Sequence, residues 1–261
     1  MSVKQAVIFA GGYGTRMSEL TSVRPKPTVE VGGKPMIFHI CEMFYNQGIT
    51  EFVILGGYKF DVLKLTFSNS YLYNNHHMII ENRNFNHDPN DFFNNTKINL
   101  VYTGLKSETG TRLLLARDFL DDIFYITYGD GLADVRLELL SNKLVDENLD
   151  ACMSVVHPRS RYGEFFFGDD GEVVRFEEKP LLDKSFVNAG FGIMRKTALK
   201  HIKPEINASF EGTILRNAAL EKKLGVVVHK GYFRSVDSLR DIEEANADFR
   251  NWGDGYPWSI K

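Results

Sequence analysis

The feature that most constrains this chain is a glycine-rich turn that interrupts an apolar run close to its start. Residues 6–10, AVIFA, have the composition of a buried strand, and Gly11-Gly12-Tyr13-Gly14 follows at once. Glycines carry no side chain, so the backbone N–H groups of such a turn can approach a polyphosphate closely. The turn is therefore a candidate phosphate-binding loop at the end of a strand.

Two basic residues follow this turn at positions suited to phosphate binding. Arg16 offers a charged fork that matches phosphate oxygens, and Lys26 lies between two prolines that stiffen the backbone. The alternative is an ordinary turn, because most glycine-rich turns after a strand bind nothing. The dinucleotide fingerprint fails, since Met17 stands where its third glycine belongs, and no G-x-x-x-x-G-K-[ST] sequence occurs. We interpret residues 6–35 as a nucleoside triphosphate site of another type.

The composition narrows the class of protein. Of the 261 residues, 43% are hydrophobic and 25% charged, as expected of a globular protein with a full core. The net charge of −3 provides no basic field for nucleic acid, so local charges must hold an anionic substrate. We interpret the two distant cysteines, Cys41 and Cys152, as buried hydrophobic residues. No apolar stretch approaches the ~20 residues of a membrane span and no signal-peptide pattern is present, so we expect a cytoplasmic protein without a membrane partner.

Alternating strand and helix patterns predict an α/β fold. A helical pattern over 34–48, an apolar strand over 51–57 and a helical pattern over 61–69 form a βαβ unit with a right-handed crossover. A hairpin over 161–180 adds antiparallel pairing. We expect a Rossmann-like, mixed but mostly parallel sheet flanked by helices, with a small accessory β-lobe, in a single domain over 1–261. Further strands are predicted over 97–102, 123–135, 185–195 and from 226, an exposed link and a strand over 145–158, and further helices over 103–120, 210–224 and from about 238.

Two segments depart from this alternation. Residues 82–95 contain six asparagines and a proline, so we interpret about 82–96 as an inserted loop. It is either a mobile surface loop or a segment whose phenylalanines dock on another subunit. The C-terminal helix and tail, about 238–261, carry both tryptophans, which are unfavourable in water and are expected to dock on a neighbour. These segments favour a homo-oligomer.

Two aspartates are candidate metal ligands. Within the stretch 123–135, an apolar strand runs directly into Gly129-Asp130-Gly131. The carboxyl ends of parallel strands line the crevice where α/β proteins bind ligands. A carboxylate there suits a hard cation such as Mg2+. The alternative is a simple Asp-Gly turn, and Asp134 is a second choice of ligand. Asp237 precedes the last helix, where either it or Ser238 could be the N-cap.

Eight motifs along the chain form one recognisable set: GGYGTRM, RPKP, TGTRL, YGDG, RYGEF, EEKP, VNAGF and VDSLRD. The set resembles the sugar-1-phosphate nucleotidyltransferases, in particular their cytidylyltransferase branch. The resemblance implies the nucleotide-diphospho-sugar transferase fold. It also implies transfer of a cytidylyl group from CTP to a sugar 1-phosphate, in that branch glucose 1-phosphate. The products would be a CDP-sugar for surface polysaccharide or deoxysugar synthesis and pyrophosphate.

The same resemblance assigns roles to residues of this chain. Lys26, Arg16 and Asp130 would be catalytic, and Asp130 with Asp237 would bind Mg2+. The nucleotide-binding residues would be Ala10, Gly11, Gly12, Gly14, Thr15, Arg16, Lys26, Thr109, Gly110 and Arg112. The residues binding the sugar phosphate would be Tyr128, Glu178, Lys179, Asn188 and Gly190.

The chain departs from the branch at several positions on the expected sugar side. Thr111 replaces a glycine, Ala189 and Gly192 replace a glycine and a phenylalanine, and 234–236 read Arg-Ser-Val in place of Gln-Pro-Met. We expect the departures at 189 and 192 to reshape the acceptor pocket. Another phosphorylated acceptor and a non-catalytic nucleotide-binding regulator therefore stay open. A glycosyltransferase is a further alternative, although it usually needs a D-x-D motif and Asp130 lies in G-D-G.

Overall fold

A computed structural model describes most of the chain. The described residues are 3–69, 80–81, 84–85, 92–158, 160, 162–178, 180, 185–252 and 255–258. The strands are β1 Gln5–Ala10, β2 Glu30–Val31, β3 Lys34–Pro35, β4 Glu51–Gly56, β5 Ile80–Glu81, β6 Asn84–Phe85, β7 Lys97–Tyr102, β8 Ile123–Tyr128, β9 Gly131–Ala133, β10 Ala151–Val156, β11 Glu164–Phe167, β12 Val173–Glu177, β13 Val187–Arg195, β14 Leu224–Val228 and β15 Phe233–Ser235. The helices are α1 Ser18–Thr21, α2 Met36–Tyr45, α3 Phe60–Ser68, α4 Thr109–Leu115, α5 Leu137–Asp146, α6 Arg216–Leu220 and α7 Leu239–Asn251, with a π-helical turn, Phe210–Leu215, leading into α6.

Seven strands form the central sheet in the order β14-β10-β13-β8-β1-β4-β7. β4 and β8 flank β1 in parallel, and β7 continues the parallel set beside β4. β13 runs antiparallel to both of its neighbours, β8 and β10, while β14 pairs with β10 in parallel. The predicted mixed, mostly parallel sheet is confirmed, with β13 as its one reversed strand.

The core lies on both faces of this sheet because side chains alternate along each strand. Along β1, Ala6 and Ile8 face one layer of buried apolar residues, which includes α2 and α5. Val7 and Phe9 face a second layer, which includes α4 and the π-helical turn. Because β1 is buried on both faces, its sequence after Gln5 is a continuous apolar run, as expected of a parallel strand that is covered on both faces.

The strand order reverses beside β1, and this places a crevice at the carboxyl ends of β1 and β8. The chain runs from β1 outward through β4 and β7 and then returns to pair β8 on the other side of β1. Ligands of α/β proteins bind at such a switch point. Because β13 runs the other way, its first residues lie at the same edge, with Phe191 opposite Thr127.

A small second ladder connects the crevice to the end of the chain. β9 pairs with β15 in antiparallel register, with Gly131 opposite Ser235, and Val236 N donates to Asp130 O at 2.9 Å. The residues after β15 are thereby held beside those after β8. This pairing brings together parts of the chain that are more than a hundred residues apart.

Several local predictions need correction. The helix predicted over 103–120 is confined to Thr109–Leu115, followed by a short 3₁₀ turn, Arg117–Phe119. Helix α5, Leu137–Asp146, was not predicted, although Leu137, Leu140 and Leu144 face the core. The helix predicted over 34–48 begins only at Met36, because Lys34–Pro35 pairs with Glu30–Val31 as a small hairpin.

The tail packs on its own chain. Trp258 is buried and its ring lies 5.0 Å from that of His39. His39 itself contacts Val31 O through Nε2 at 2.8 Å. The prediction that the tail docks on another subunit is therefore wrong for Trp258, whereas Trp252 is half-exposed.

The predicted accessory lobe is the β11–β12 hairpin, a separate two-stranded sheet with Gly171 at φ 82° in its turn. Most of the inserted loop lies outside the described residues. Within its described part, Phe93 packs against Phe38, with ring centroids 4.8 Å apart. Among the described helices, none has the length and apolar character needed to cross a bilayer.

Candidate active site

The glycine-rich turn after β1 is held open by a left-handed residue and a threonine. Gly14 has φ +64°, a conformation that favours glycine. Its carbonyl accepts from Met17 N and from Thr21 Oγ1, both at 2.9 Å. These bonds anchor one side of the turn, and its four residues, 11–14, line a cavity at the crevice.

Arg112 joins the same turn to residues 103–104 by hydrogen bonds. Its Nη2 donates to Gly11 O at 3.0 Å, and its Nη1 donates to Gly104 O and Thr103 Oγ1, both at 2.8 Å. A Cβ at position 11 would lie 2.3 Å from Nη1, so only glycine allows this approach. Arg112 was predicted to bind nucleotide. It borders the cavity, but the structure shows a buried guanidinium whose contacts shape the loop.

Lys26 is held rigidly by the backbone around it. Residues Lys26–Thr28 form a 3₁₀ turn, and both N and Oγ1 of Thr28 donate to Pro25 O, at 3.0 and 2.8 Å. Pro27 packs on Gly129, where a Cβ would lie 2.5 Å from its ring. The proline contact fixes the Lys26 segment against the residue that precedes Asp130.

The Lys26 ammonium lies between two carboxylates. Its Nζ is 2.8 Å from Asp130 Oδ2 and 2.7 Å from Asp237 Oδ1, and its side chain is only 12% exposed. Burial lowers the pKa of Lys26, but Asp130 and Asp237 more than offset this and hold it above its ordinary value. Burial likewise opposes ionisation of Asp237, yet the bond from Lys26 keeps its pKa below the ordinary value. Lys26 therefore contacts both of the aspartates that are candidate metal ligands.

Arg16 completes this charged group and borders the larger of two cavities. Its Nη1 lies 3.5 Å from Asp237 Oδ1, and 77% of its side chain is exposed, so it can turn toward a ligand. The cavity has a volume of about 440 Å³. Among the residues predicted to bind nucleotide, those that line it are Ala10, Gly11, Gly12, Gly14, Thr15, Arg16, Lys26, Thr109 and Arg112.

The TGTRL motif, residues 109–113, is hydrogen-bonded to a segment that is distant in sequence. Thr111 N donates to Ala208 O at 2.9 Å, and Thr111 Oγ1 accepts from Ala208 N at 2.8 Å. A Cβ on Gly110 would lie 2.8 Å from the same carbonyl, so this glycine serves the close packing and does not line the cavity. Thr111, which replaces the glycine typical of the branch, thus points at 206–208.

Glu211 is a site residue that the sequence analysis missed. The Tyr128 hydroxyl donates to its Oε1, and Thr109 Oγ1 lies 3.3 Å from its Oε2. Burial and then the Glu211 carboxylate raise the pKa of Tyr128, so the phenol stays protonated. Ser209 caps the helical turn that carries Glu211, accepting from Gly212 N at 2.9 Å. That capping pattern is visible in the sequence, but its contact with Tyr128 is not.

A second cavity, of about 320 Å³, adjoins the first. The two share Tyr128 and Asp130. Asn188 lines the second cavity, and its Oδ1 accepts from Gly190 N at 2.8 Å, which fixes the bend at the start of β13. The other residues along this cavity are Thr127, Gly131, Val187, Ala189, Gly190, Phe233 and Ser235.

Of the departures from the branch, only some face this cavity. Ala189 lines it, as expected. Gly192 does not, because it pairs with Met153 and a Cβ there would lie 2.3 Å from Met153 Sδ. Arg234 turns away to Asp248, with Nη2 2.7 Å from Oδ2. The prediction that the departures at 189 and 192 reshape the acceptor pocket is therefore wrong for Gly192.

The remaining candidates have separate outcomes. Glu178 is exposed and lines neither cavity, and Lys179 lies outside the described residues, so their predicted roles stay predictions. Asp134, the second choice for the metal, lies 3.1 Å from His229 Nε2 and does not line the larger cavity. Ser238, not Asp237, caps α7 by accepting from Asp241 N.

Sequence and structure comparisons show which known proteins this chain resembles. The sequence profile of the nucleotidyl transferase family matches residues 5–252. A glucose-1-phosphate cytidylyltransferase of Salmonella typhi is 34% identical over 260 residues, which cover 95% of this chain and 99% of that protein. A Bacillus subtilis protein named as a probable glucose-1-phosphate cytidylyltransferase is 31% identical, covering 98% and 99%. The solved structure of a UDP-glucose pyrophosphorylase with UDP-glucose superposes with a TM-score of 0.69 at 17% identity, over 96% of this chain and all of that one, which shows a shared fold.

Proposed function

We propose that this chain, which belongs to the nucleotidyl transferase family, transfers a cytidylyl group from CTP to a sugar 1-phosphate. Glucose 1-phosphate is the acceptor we expect, since relatives above 30% identity over nearly the full chain carry that name. Family membership argues against the glycosyltransferase alternative.

One observation carries the proposal. The Lys26 ammonium contacts Asp130 and Asp237 at 2.8 and 2.7 Å, where the larger cavity meets the smaller one. A nucleoside triphosphate in the larger cavity would place its α-phosphorus near this point. An acceptor phosphate in the smaller cavity would approach the same point from the side of Asn188. Such a meeting of two ligands is what an in-line displacement needs.

The chain's own residues supply charge and position. An oxygen of the acceptor phosphate forms a bond to the α-phosphorus, and the bond from that phosphorus to the β-phosphate bridging oxygen breaks, releasing pyrophosphate. Lys26 neutralises the charge that develops on the α-phosphate. Arg16, largely exposed beside the glycine-rich turn, holds the β- and γ-phosphates. No general base is needed, because the acceptor phosphate is already an anion.

Asp130 and Asp237 fit a divalent cation. Their Oδ2 and Oδ1 atoms converge on one positive group, the Lys26 ammonium, which shows that both can face a single cation. Carboxylate oxygens are the ligands that Mg2+ prefers. Asp130 and Asp237 would hold Mg2+ there, and the ion would neutralise part of the charge on the phosphates.

A pyrophosphate-release assay tests the proposal. Purified protein is mixed with CTP, Mg2+ and one of a panel of sugar phosphates, and CTP is replaced by UTP or dTTP in parallel. Release that needs both CTP and a sugar 1-phosphate, with formation of the CDP-sugar, supports it. CTP binding without release under any combination would instead identify a nucleotide-binding regulator.

The expected homo-oligomer, cytoplasmic location and role in surface polysaccharide or deoxysugar synthesis stay predictions. Support for assembly comes from the β11–β12 hairpin, where Phe165 and Phe167 are 61% and 70% exposed. Side chains of this size are rarely left in water on one face of a hairpin.

A further inference from the structure

A cluster of metal-ligating side chains lies far from the active site. Asp150, His201 and Glu221 each offer one ligand atom, and these atoms all lie within 4.8 Å of one another. Asp150 immediately precedes β10, and β10 runs in the same direction as β1. The crevice lies at the carboxyl end of β1, so the cluster, at the start of β10, lies at the opposite edge of the sheet. None of the three residues lines either cavity.

The imidazole of His201 is the observation that points to a ligand. Its side chain is only 8% exposed, and Nε2 is buried without a hydrogen-bond partner. The same Nε2 lies 3.8 Å from Glu221 Oε2, too far for a hydrogen bond. A buried nitrogen left unpartnered costs free energy unless another group satisfies it. A metal ion between His201 and the two carboxylates would do so.

The backbone holds the three residues in place independently of their side chains. Asp150 O accepts from Arg195 N at 2.9 Å, and Asp150 N donates to Lys223 O at 2.8 Å. Glu221 N donates to Asn217 O at 3.0 Å at the end of α6. His201 ends the 3₁₀ helix Lys196–His201, which follows β13. The ligands therefore come from three separate segments, so an ion bound between them would join the start of β10, this 3₁₀ helix and the end of α6.

Lys200 competes for the same carboxylates. Its Nζ lies 3.4 Å from Asp150 Oδ2 and 3.0 Å from Glu221 Oε2, and its side chain is 54% exposed. A half-exposed lysine contributes little as an ion pair and can swing into water. It does not satisfy His201, since its ammonium contacts the two carboxylates and Nε2 of the imidazole has no hydrogen-bond partner.

We propose that Asp150, His201 and Glu221 form a second metal site, selective for Zn2+ or a similar transition-metal ion over Mg2+. One imidazole and two carboxylates are a donor set that zinc accepts, with water in the fourth position. Mg2+ favours an all-oxygen shell. Zinc–ligand bonds of about 2.0–2.2 Å need ligand atoms about 3.4 Å apart, so the half-exposed Glu221 closes on the ion and Lys200 moves out.

Zinc binding is measured on the full chain after chelation, in excess Mg2+ and in an Asp237→Asn background that removes the active-site carboxylate pair. Equilibrium dialysis should find one Zn2+ per chain, and a hundredfold excess over its dissociation constant should raise Tm by about 5 °C. Co2+ in place of Zn2+ should give a visible absorption band that reports coordination directly.

Matched variants decide the outcome. Glu221→Gln changes one surface side chain and should weaken Zn2+ binding by about 100-fold, since even outer-shell changes cost 10–100-fold. Lys200→Gln should tighten it about 5–10-fold by removing the competing charge. Glu205→Gln, an exposed acid outside the cluster, should change nothing. Equal binding by the starting protein and Glu221→Gln, or no binding even with Lys200→Gln, would overturn the proposal.

Discussion

Replacing Lys26 by alanine should change catalysis and metal binding in opposite directions. In the free protein the Lys26 ammonium occupies the space between Asp130 and Asp237. In the proposed reaction it neutralises charge that appears on the α-phosphate. Removing it deletes a transition-state contact and also frees two carboxylates for Mg2+.

The two effects have separate magnitudes. Loss of one preorganised charged contact to a developing oxyanion costs roughly 3–4 kcal/mol, so kcat should fall by 10²–10³. The two ion pairs of Lys26 involve carboxylates that are 33% and 39% exposed, so each contributes about 1 kcal/mol after screening. Their release, about 2 kcal/mol together, should lower the Mg2+ concentration for half-activation by about 10–30-fold.

The assay is steady-state kinetics at saturating glucose 1-phosphate, with CTP and then Mg2+ varied. KM for CTP should change much less than kcat, because Arg16 and the glycine-rich turn remain. Lys34→Ala is the matched control: this lysine is also 12% exposed and pairs with Glu42 at 2.5 Å, but it lies outside both cavities. A folded Lys26→Ala protein whose kcat is within tenfold of the starting protein would refute the reasoning.

Four further outcomes are expected. Asp130→Asn and Asp237→Asn should each abolish Mg2+-dependent activity. The double variant should be little worse than either single variant, because the two carboxylates act as one unit. Additive losses in kcat would show that the two carboxylates have separate roles. The difference in unfolding free energy between the starting protein and Lys26→Ala, measured in urea, should be constant near neutral pH, since the pKa of Lys26 is raised and that of Asp237 lowered. This difference should shrink as the pH falls through the depressed pKa of Asp237, below 3.8. It should also shrink as the pH rises through the elevated pKa of Lys26, above 10.5. Asn188→Ala should raise KM for the acceptor at least tenfold with KM for CTP unchanged, and equal changes in both would contradict the assignment of two cavities. Thr111→Gly should cost about 1 kcal/mol of unfolding free energy, because Ala208 N loses its acceptor, Thr111 Oγ1, yet leave KM for CTP as it was.

Much of the fold followed from local patterns. The strand over 97–102 has the predicted bounds, and the apolar run at the start is the central strand β1. The prediction for β1 succeeds because a strand buried on both faces needs a short apolar run whatever its partners are. The helix predicted over 103–120 was too long, because its start at Thr109 is set by hydrogen bonds to the distant residues Ala208 and Phe210.

Some residues of the candidate site could likewise be identified from local sequence, and others could not. The glycine-rich turn, Lys26 between prolines and Asp130 after a strand could be identified from residue type and position. Glu211 could not, because its role depends on Tyr128, which is 83 residues away. Gly192 was misjudged for the same reason, since the side chain that fills its space belongs to Met153 on the neighbouring strand.

The sequence by itself determined the chemistry that is available: a loop open to phosphate, two fixed positive charges and carboxylates at chain positions after strands. Only the tertiary structure decided which of these groups meet. Asp237 reaches Lys26 because β15 pairs with β9 and Val236 N bonds to Asp130 O, whereas Asp134, nearer in sequence to Asp130, is drawn to His229. Backbone conformation is set by neighbouring residues, but contact between distant side chains depends on strand pairing and register, which no short stretch of sequence contains.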